Sequence, residues 1–222
     1  MPTIYGSNTI DITGTKVKVK QVLLKGQNDL LPIAKDIVVS TRGWLQTAIP
    51  ELRNNPDPKN RRLAITLGGS IGDPAAVPWL LALMKEPLAA RGAGEAFSFI
   101  TGVDLEEQKL DAKKPEGFES GPTDNPEDTD VDMDPDDDLP WPDAAKVADR
   151  WKAIQGTLAA GKRYLLGKEI TPDQAWAVLR TGKQRQRAAA ALELALRSAG
   201  KPLFNVAAPG FRQVLDVAGS GG

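Results

Sequence analysis

The 222-residue chain contains no cysteine and no histidine. Without cysteine there is no disulfide, no thiolate nucleophile and no thiolate metal site. Without histidine it lacks the commonest general base, the commonest zinc ligand and every Ser-His-Asp or Cys-His triad. No catalytic constellation stands out among the remaining side chains, so we read the chain as non-enzymatic and without a cofactor. It also has no run of about 18 apolar residues, so neither a membrane span nor a membrane partner is expected. The first residues, MPTIYGSNTIDITG, lack the basic segment and apolar run of a secretory leader. A formal net charge of −1 favours neither nucleic acid nor a membrane surface as partner. A reducing cytoplasm fits this composition, and the length fits one elongated domain or two small ones.

What the chain does have is helix. KQRQRAAAALELALR, from Lys183 to Arg197, opens polar and continues through Ala188, Ala189, Ala190, Ala191, Leu192, Leu194, Ala195 and Leu196. Ala and Leu are strong helix formers. Glu193 alone breaks the apolar block, four residues before Arg197, in the favoured order for a helical ion pair. A helix apolar on nearly every side needs cover on more than one face, as in a stacked helical array.

Similar logic places the other helices. Residues 27–40 and 44–52 have helical patterns. Asn54-Asn55-Pro56-Asp57-Pro58 is a turn cluster, followed by a helix over 59–68 with Leu63, Ile65 and Leu67 as contacts. Gly68-Gly69-Ser70-Ile71-Gly72 reads as its end. Asp73 and Pro74 restart a helix as cap and first residue, and Glu86-Pro87 closes it. A helix over 88–100 follows, with Arg91 and Glu95 four apart, and Asp104 to Leu110 reads as one more short helix. Asp143 caps a helix to about Leu158 with Val147, Trp151, Ile154 and Leu158 on one stripe. Thr171-Pro172-Asp173 starts another that carries Trp176, Val178 and Leu179.

Two segments stand apart. In residues 1–24, Ile10 and Ile12 alternate with polar residues, Thr13-Gly14-Thr15 could turn, and Val17, Val19 and Val22 follow, which suggests a β-hairpin or a loose tail. Residues 113–139 hold four prolines and the acidic run DTDVDMDPDDD. Like charges with few apolar residues do not offset ordering entropy, so this stretch is expected to be disordered. The organisation is then a tail or hairpin (1–24), a helical block (25–112), an acidic insertion (113–139), a second helical block (140–217) and a flexible end (218–222).

KNRRLAITLGG (Lys59 to Gly69) and KQRQRAAAALE (Lys183 to Glu193) share a basic-then-apolar helical pattern, each following a turn. Such internal similarity is the mark of helix-pair solenoids. Gly72 to Leu80, GDPAAVPWL, resembles the turn and second helix of a HEAT-type repeat. RGAGEAFSFITGVDL (Arg91 to Leu105), LPWPD (Leu139 to Asp143), GKRYLLG (Gly161 to Gly167) and GKQRQRAAAALELALR (Gly182 to Arg197) together resemble an uncharacterised bacterial HEAT-like repeat family, often encoded near type VI secretion genes. Family members are usually longer on the N-terminal side. The resemblance implies an all-α solenoid that binds another protein, as a type VI secretion scaffold or adaptor. It carries over no active site.

The polar residues inside these motifs are the candidate interface: Arg91, Glu95, Asp104, Arg163, Tyr164, Gln184, Arg185 and Arg187. They would serve either as a ligand site or as ion pairs fixing repeat junctions. Convergence of Glu95, Asp104 and Arg163 in one pocket would favour an enzyme using Arg/Glu/Asp chemistry. The acidic run has a third reading. An EF-hand-like Ca²⁺ loop starting at Asp132 would use Asp134, Asp136 and Asp143, but it lacks the glycine at position six and the closing Glu. The same run would also suit docking to a basic partner. The basic helix starts, Lys59 to Arg62 and Lys183 to Arg187, are read as solvated or paired with the acidic run; nucleic acid is disfavoured by the near-zero net charge.

Overall fold

Side-chain caps set the starts of two α-helices and one 3₁₀ turn in the computed structural model, which describes residues 7–12, 15–20, 58–121, 133–197 and 203–213. It is mainly helical, with three two-stranded sheets among the described residues. The expected helices over 27–40 and 44–52 lie outside the described residues, as do Thr13, Gly14 and Val22. The chain divides into two compact units, 54–168 and a second made of 1–53 with 169–222.

In the second unit, strands β1 (Ser7–Ile12) and β2 (Thr15–Lys20) form the antiparallel hairpin, in a register that sets Ile10 opposite Val17.

The unit 54–168 is built on three helices: α1 (Pro58–Ile71), α2 (Val77–Leu83) and α3 (Pro87–Thr101). Asp73 caps as expected, its carboxylate accepting the Ala75 N–H at 2.9 Å, and a short 3₁₀ turn (Pro74–Ala76) leads into α2. The core joins Ala64, Ile65 and Ile71 with Val77, Leu80, Leu83, Phe97 and Ile100. α2 ends just before Glu86, which is also the N-cap of α3, with Pro87 at the first position.

The Gly68-Gly69 pair is a correction. It does not end α1, which runs on to Ile71. A Cβ at Gly69 would sit 2.8 Å from Ala96 Cα and one at Gly68 would sit 3.2 Å from the Trp79 ring. The glycines therefore let α3 and Trp79 approach α1 closely. The chain breaks three residues later, at Gly72, with φ +76°.

Asp104 to Leu110 forms turns rather than a helix. The Asp104 carboxylate accepts the N–H groups of Glu106 and Glu107, and Lys109 takes a left-handed φ of 56° that ends the turn. Strands β3 (Asp111–Ala112) and β4 (Trp141–Pro142) then pair antiparallel. They draw the two ends of the intervening segment together. Asp143 caps α4 (Ala144–Ile154) through the N–H groups of Ala145 and Lys146, and a 3₁₀ turn (Gln155–Thr157) extends it. On this helix Val147 is fully buried, while Trp151, edge-on to Phe97, and Ile154 are half-buried.

GKRYLLG contains β5 (Tyr164–Leu165), which turns through Leu166-Gly167 to β6 (Lys168–Glu169). This segment clamps two helix ends. Arg163 Nε donates to the Ile71 carbonyl at 2.7 Å and the Tyr164 N–H to the Gly72 carbonyl at 2.7 Å, both at the end of α1. The Leu166 N–H donates to the Phe99 carbonyl at 2.6 Å near the end of α3. Carbonyls at helix C-termini need outside donors, and residues 163–166 supply them.

The second unit also carries the pair α5 (Pro172–Thr181) and α6 (Gln184–Arg197), with Thr171 capping α5 through the Gln174 N–H. Ala189, Ala190, Ala191 and Ala195 of α6 are buried, and Leu192 and Leu194 are half-buried. Glu193 is buried and ion-paired with Arg197 at 2.6 Å, in the expected order.

Candidate functional site

The best-defined polar cluster lies on the face of α1 and α3. Arg91, one turn into α3, is 7% exposed. Its guanidinium is ion-paired with Asp134. It lies 4.6 Å from the Trp141 ring centroid and 5.4 Å from that of Phe118. Those two rings meet edge-to-face at 4.8 Å. An aromatic face attracts a guanidinium electrostatically, most strongly when water is excluded. Arg91 is therefore held by a carboxylate and two rings.

One helix away, Arg62 of α1 grips Asp136 with both prongs, Nε to Oδ2 at 3.1 Å and Nη2 to Oδ1 at 2.7 Å. This bidentate geometry is the strong form of an arginine–carboxylate pair. Asp136 is 6% exposed. The turn between the two acids is fixed internally: the Asp136 N–H donates to Asp134 Oδ1 at 2.9 Å and the Leu139 N–H to the Asp136 carbonyl at 3.0 Å. Gly92 lies under this turn, where a Cβ would be 3.6 Å from Asp136 Oδ2.

Burial raises the cost of charging Asp134 and is the largest single influence on it. The Arg91 hydrogen bond, the Asp136 N–H, the Ser120 hydroxyl and the Arg91 charge together outweigh it, and hold its pKa below the ordinary 3.8.

Residues 113–121 and 133–139 carry neither helix nor strand apart from the flanking ladder. Within them Asp134 and Asp136 are each paired with a distant arginine, while most of the other described residues of the stretch are exposed. Residues 122–132 lie outside the described residues. The Ca²⁺ reading needs Asp134 and Asp136 as ligands, and here both face guanidinium groups. Among the described residues no group of three acidic side chains is arranged to hold a metal ion.

Glu95 sits one turn beyond Arg91 on α3, half-buried, but the carboxylate that Arg91 holds is Asp134, 43 residues away. Asp104 organises its own turn. Arg163 holds the end of α1, and the buried Tyr164 accepts the Ala159 N–H at its hydroxyl, 2.8 Å away. In the second unit, Gln184, Arg185 and Arg187 lie in the first turn of α6. Gln184 Nε2 donates to the Val206 carbonyl at 2.7 Å, and Arg187 binds the Leu179 carbonyl and the Gln213 side chain. Sequence reasoning missed Gln213, Phe118 and Ser120, none of which has a local signal. Arg62 lies in a basic helix start read as solvated or paired with the acidic run, and it pairs with Asp136.

No family model matches the chain, and neither does any curated protein or solved structure. Among the described residues, no helix is long and apolar enough to cross a membrane.

Proposed function

We propose that the chain is a non-enzymatic scaffold that binds another protein, built on HEAT-like helix pairs and acting in the cytoplasm as an adaptor or accessory of a type VI secretion system. The observation that carries this reading is where the motifs behind the family resemblance meet. Arg91 of RGAGEAFSFITGVDL stacks on Trp141 of LPWPD. In the same helix, a Cβ at Gly94 would lie 3.4 Å from Pro142. Leu166 of GKRYLLG binds the Phe99 carbonyl of the first motif. Three motifs, far apart in sequence, thus form one junction within the unit 54–168. Their polar residues tie helix ends and loops together, which supports the reading of a repeat junction.

The test is capture of individually purified soluble type VI components by the immobilised full chain. The reading expects one component to be retained at physiological salt. Retention of none by a chain with native circular dichroism would refute it.

A further inference from the structure

Asp134-Pro135-Asp136 occupies a site that this chain makes from other elements. Arg62 comes from α1, Arg91 from α3 and the Trp141 platform from β4, and together they face two carboxylates spaced i and i+2. We propose that this arginine site is a docking site for an acidic Asp-x-Asp segment of a partner protein, and that the chain's own acidic turn fills it in cis as an autoinhibitory contact. This deepens the scaffold reading by naming the chemistry of the partner segment.

The occupant is defined by the bonds already present. One carboxylate takes the fork of Arg62. The other pairs with Arg91 above the Trp141 ring. A segment from elsewhere with the same spacing would make the same bonds. The Arg62 side chain is 39% exposed, whereas the Arg91 side chain is 8% exposed, so an incoming acid meets Arg62 first. The strap that carries the turn is tied at its neck by a ladder of two residue pairs, Asp111 with Pro142 and Ala112 with Trp141. Asp134 and Asp136 tie the turn to α3 and α1 through the two ion pairs, and an acidic competitor would contest those bonds. Arginine is suited to this role because its planar fork matches a carboxylate and its face stacks on an aromatic ring.

The probe is a blocked peptide with the sequence of residues 133–139, MDPDDDL, titrated into the full-length chain by calorimetry. Wild type is expected to bind weakly, because its own turn competes. Asp134→Asn/Asp136→Asn is expected to bind at least tenfold more tightly, with affinity falling as salt rises. Adding Arg62→Gln and Arg91→Gln to that variant should abolish binding, as should Asn at the first two acids of the peptide. Should the Asn variant unfold, amide exchange in wild type still decides. Saturating peptide should speed exchange of the Asp136 and Leu139 amides about tenfold. Equal affinity of wild type and a folded Asn variant, binding that survives loss of both arginines, or unchanged exchange at saturation would each overturn the proposal. A failure here leaves the capture of a type VI component to stand or fall by its own experiment.

Discussion

Arg91 and Trp141 are stacked, guanidinium over indole at 4.6 Å, although they lie on a helix and a strand separated by the acidic segment. The stack predicts that charge alone does not replace Arg91. Arg91→Lys should cost about 1–2 kcal/mol through lost stacking and lost fork geometry. Arg91→Ala, which leaves the half-buried Asp134 carboxylate with only the Asp136 N–H and the Ser120 hydroxyl, should cost about 3 kcal/mol, the low end for breaking a buried pair. Trp141→Leu, which keeps apolar bulk, should cost about 0.5–2 kcal/mol. Urea unfolding followed by tryptophan fluorescence and circular dichroism measures all three.

The depressed pKa of Asp134 predicts a pH dependence with a definite sign. A carboxylate whose folded pKa lies below its unfolded value contributes stability that is full above the unfolded value and lost as pH falls through the folded one. The unfolded value is near 3.8. The difference in urea midpoint between wild type and Asp134→Asn should stay constant from pH 7 to pH 5 and shrink below pH 4. A difference that grows as the pH falls would contradict the pairing.

Local signals were legible and distant ones were not. Asp73-Pro74, Asp143 and Thr171-Pro172 each announce a helix through a hydrogen bond spanning two or three residues, and each starts one. The Gly68-Gly69 pair reads as a stop because its purpose is another helix, and nothing near it in sequence names Ala96. The pairing of Asp134 and Asp136 was not legible because repulsion within the acidic run is local, while the arginines that hold these two acids lie 43 and 74 residues away. Arg91, Arg163 and Tyr164 stand out in the sequence motifs, but nothing near them in sequence names their partners.

The glycines separate conformational strain from crowding. At Gly72 a side chain meets both a left-handed φ and the Tyr164 carbonyl oxygen at 2.0 Å. Gly72→Ala should cost about 1–3 kcal/mol from conformation alone and more from the clash. Gly117 has the same φ in open space, so Gly117→Ala should cost about 1–2 kcal/mol. Gly156 has neither constraint, and Gly156→Ala should be neutral or stabilising by up to about 1 kcal/mol. Thermal melts of the three variants give the ranking.

On α6, Ala190 is fully buried and Leu192 half-buried. Ala190→Leu should cost about 1–3 kcal/mol by overpacking. Leu192→Ala should fall near 2 kcal/mol, roughly the low end for such truncations. Composition marks Gln184 as an expendable surface residue. Its bonds to Val206 and Arg187 instead predict a loss of about 1 kcal/mol in Gln184→Ala, detectable in urea.

The claim at the centre of this account is that the acidic segment is fastened to the helices by arginine–aspartate pairs. A double-mutant cycle on Arg91→Gln and Asp134→Asn, read by urea unfolding, tests it most directly. The account predicts a coupling energy of about 1–3 kcal/mol between the two positions. Additive effects, with coupling below about 0.3 kcal/mol, would mean that the segment is not held there.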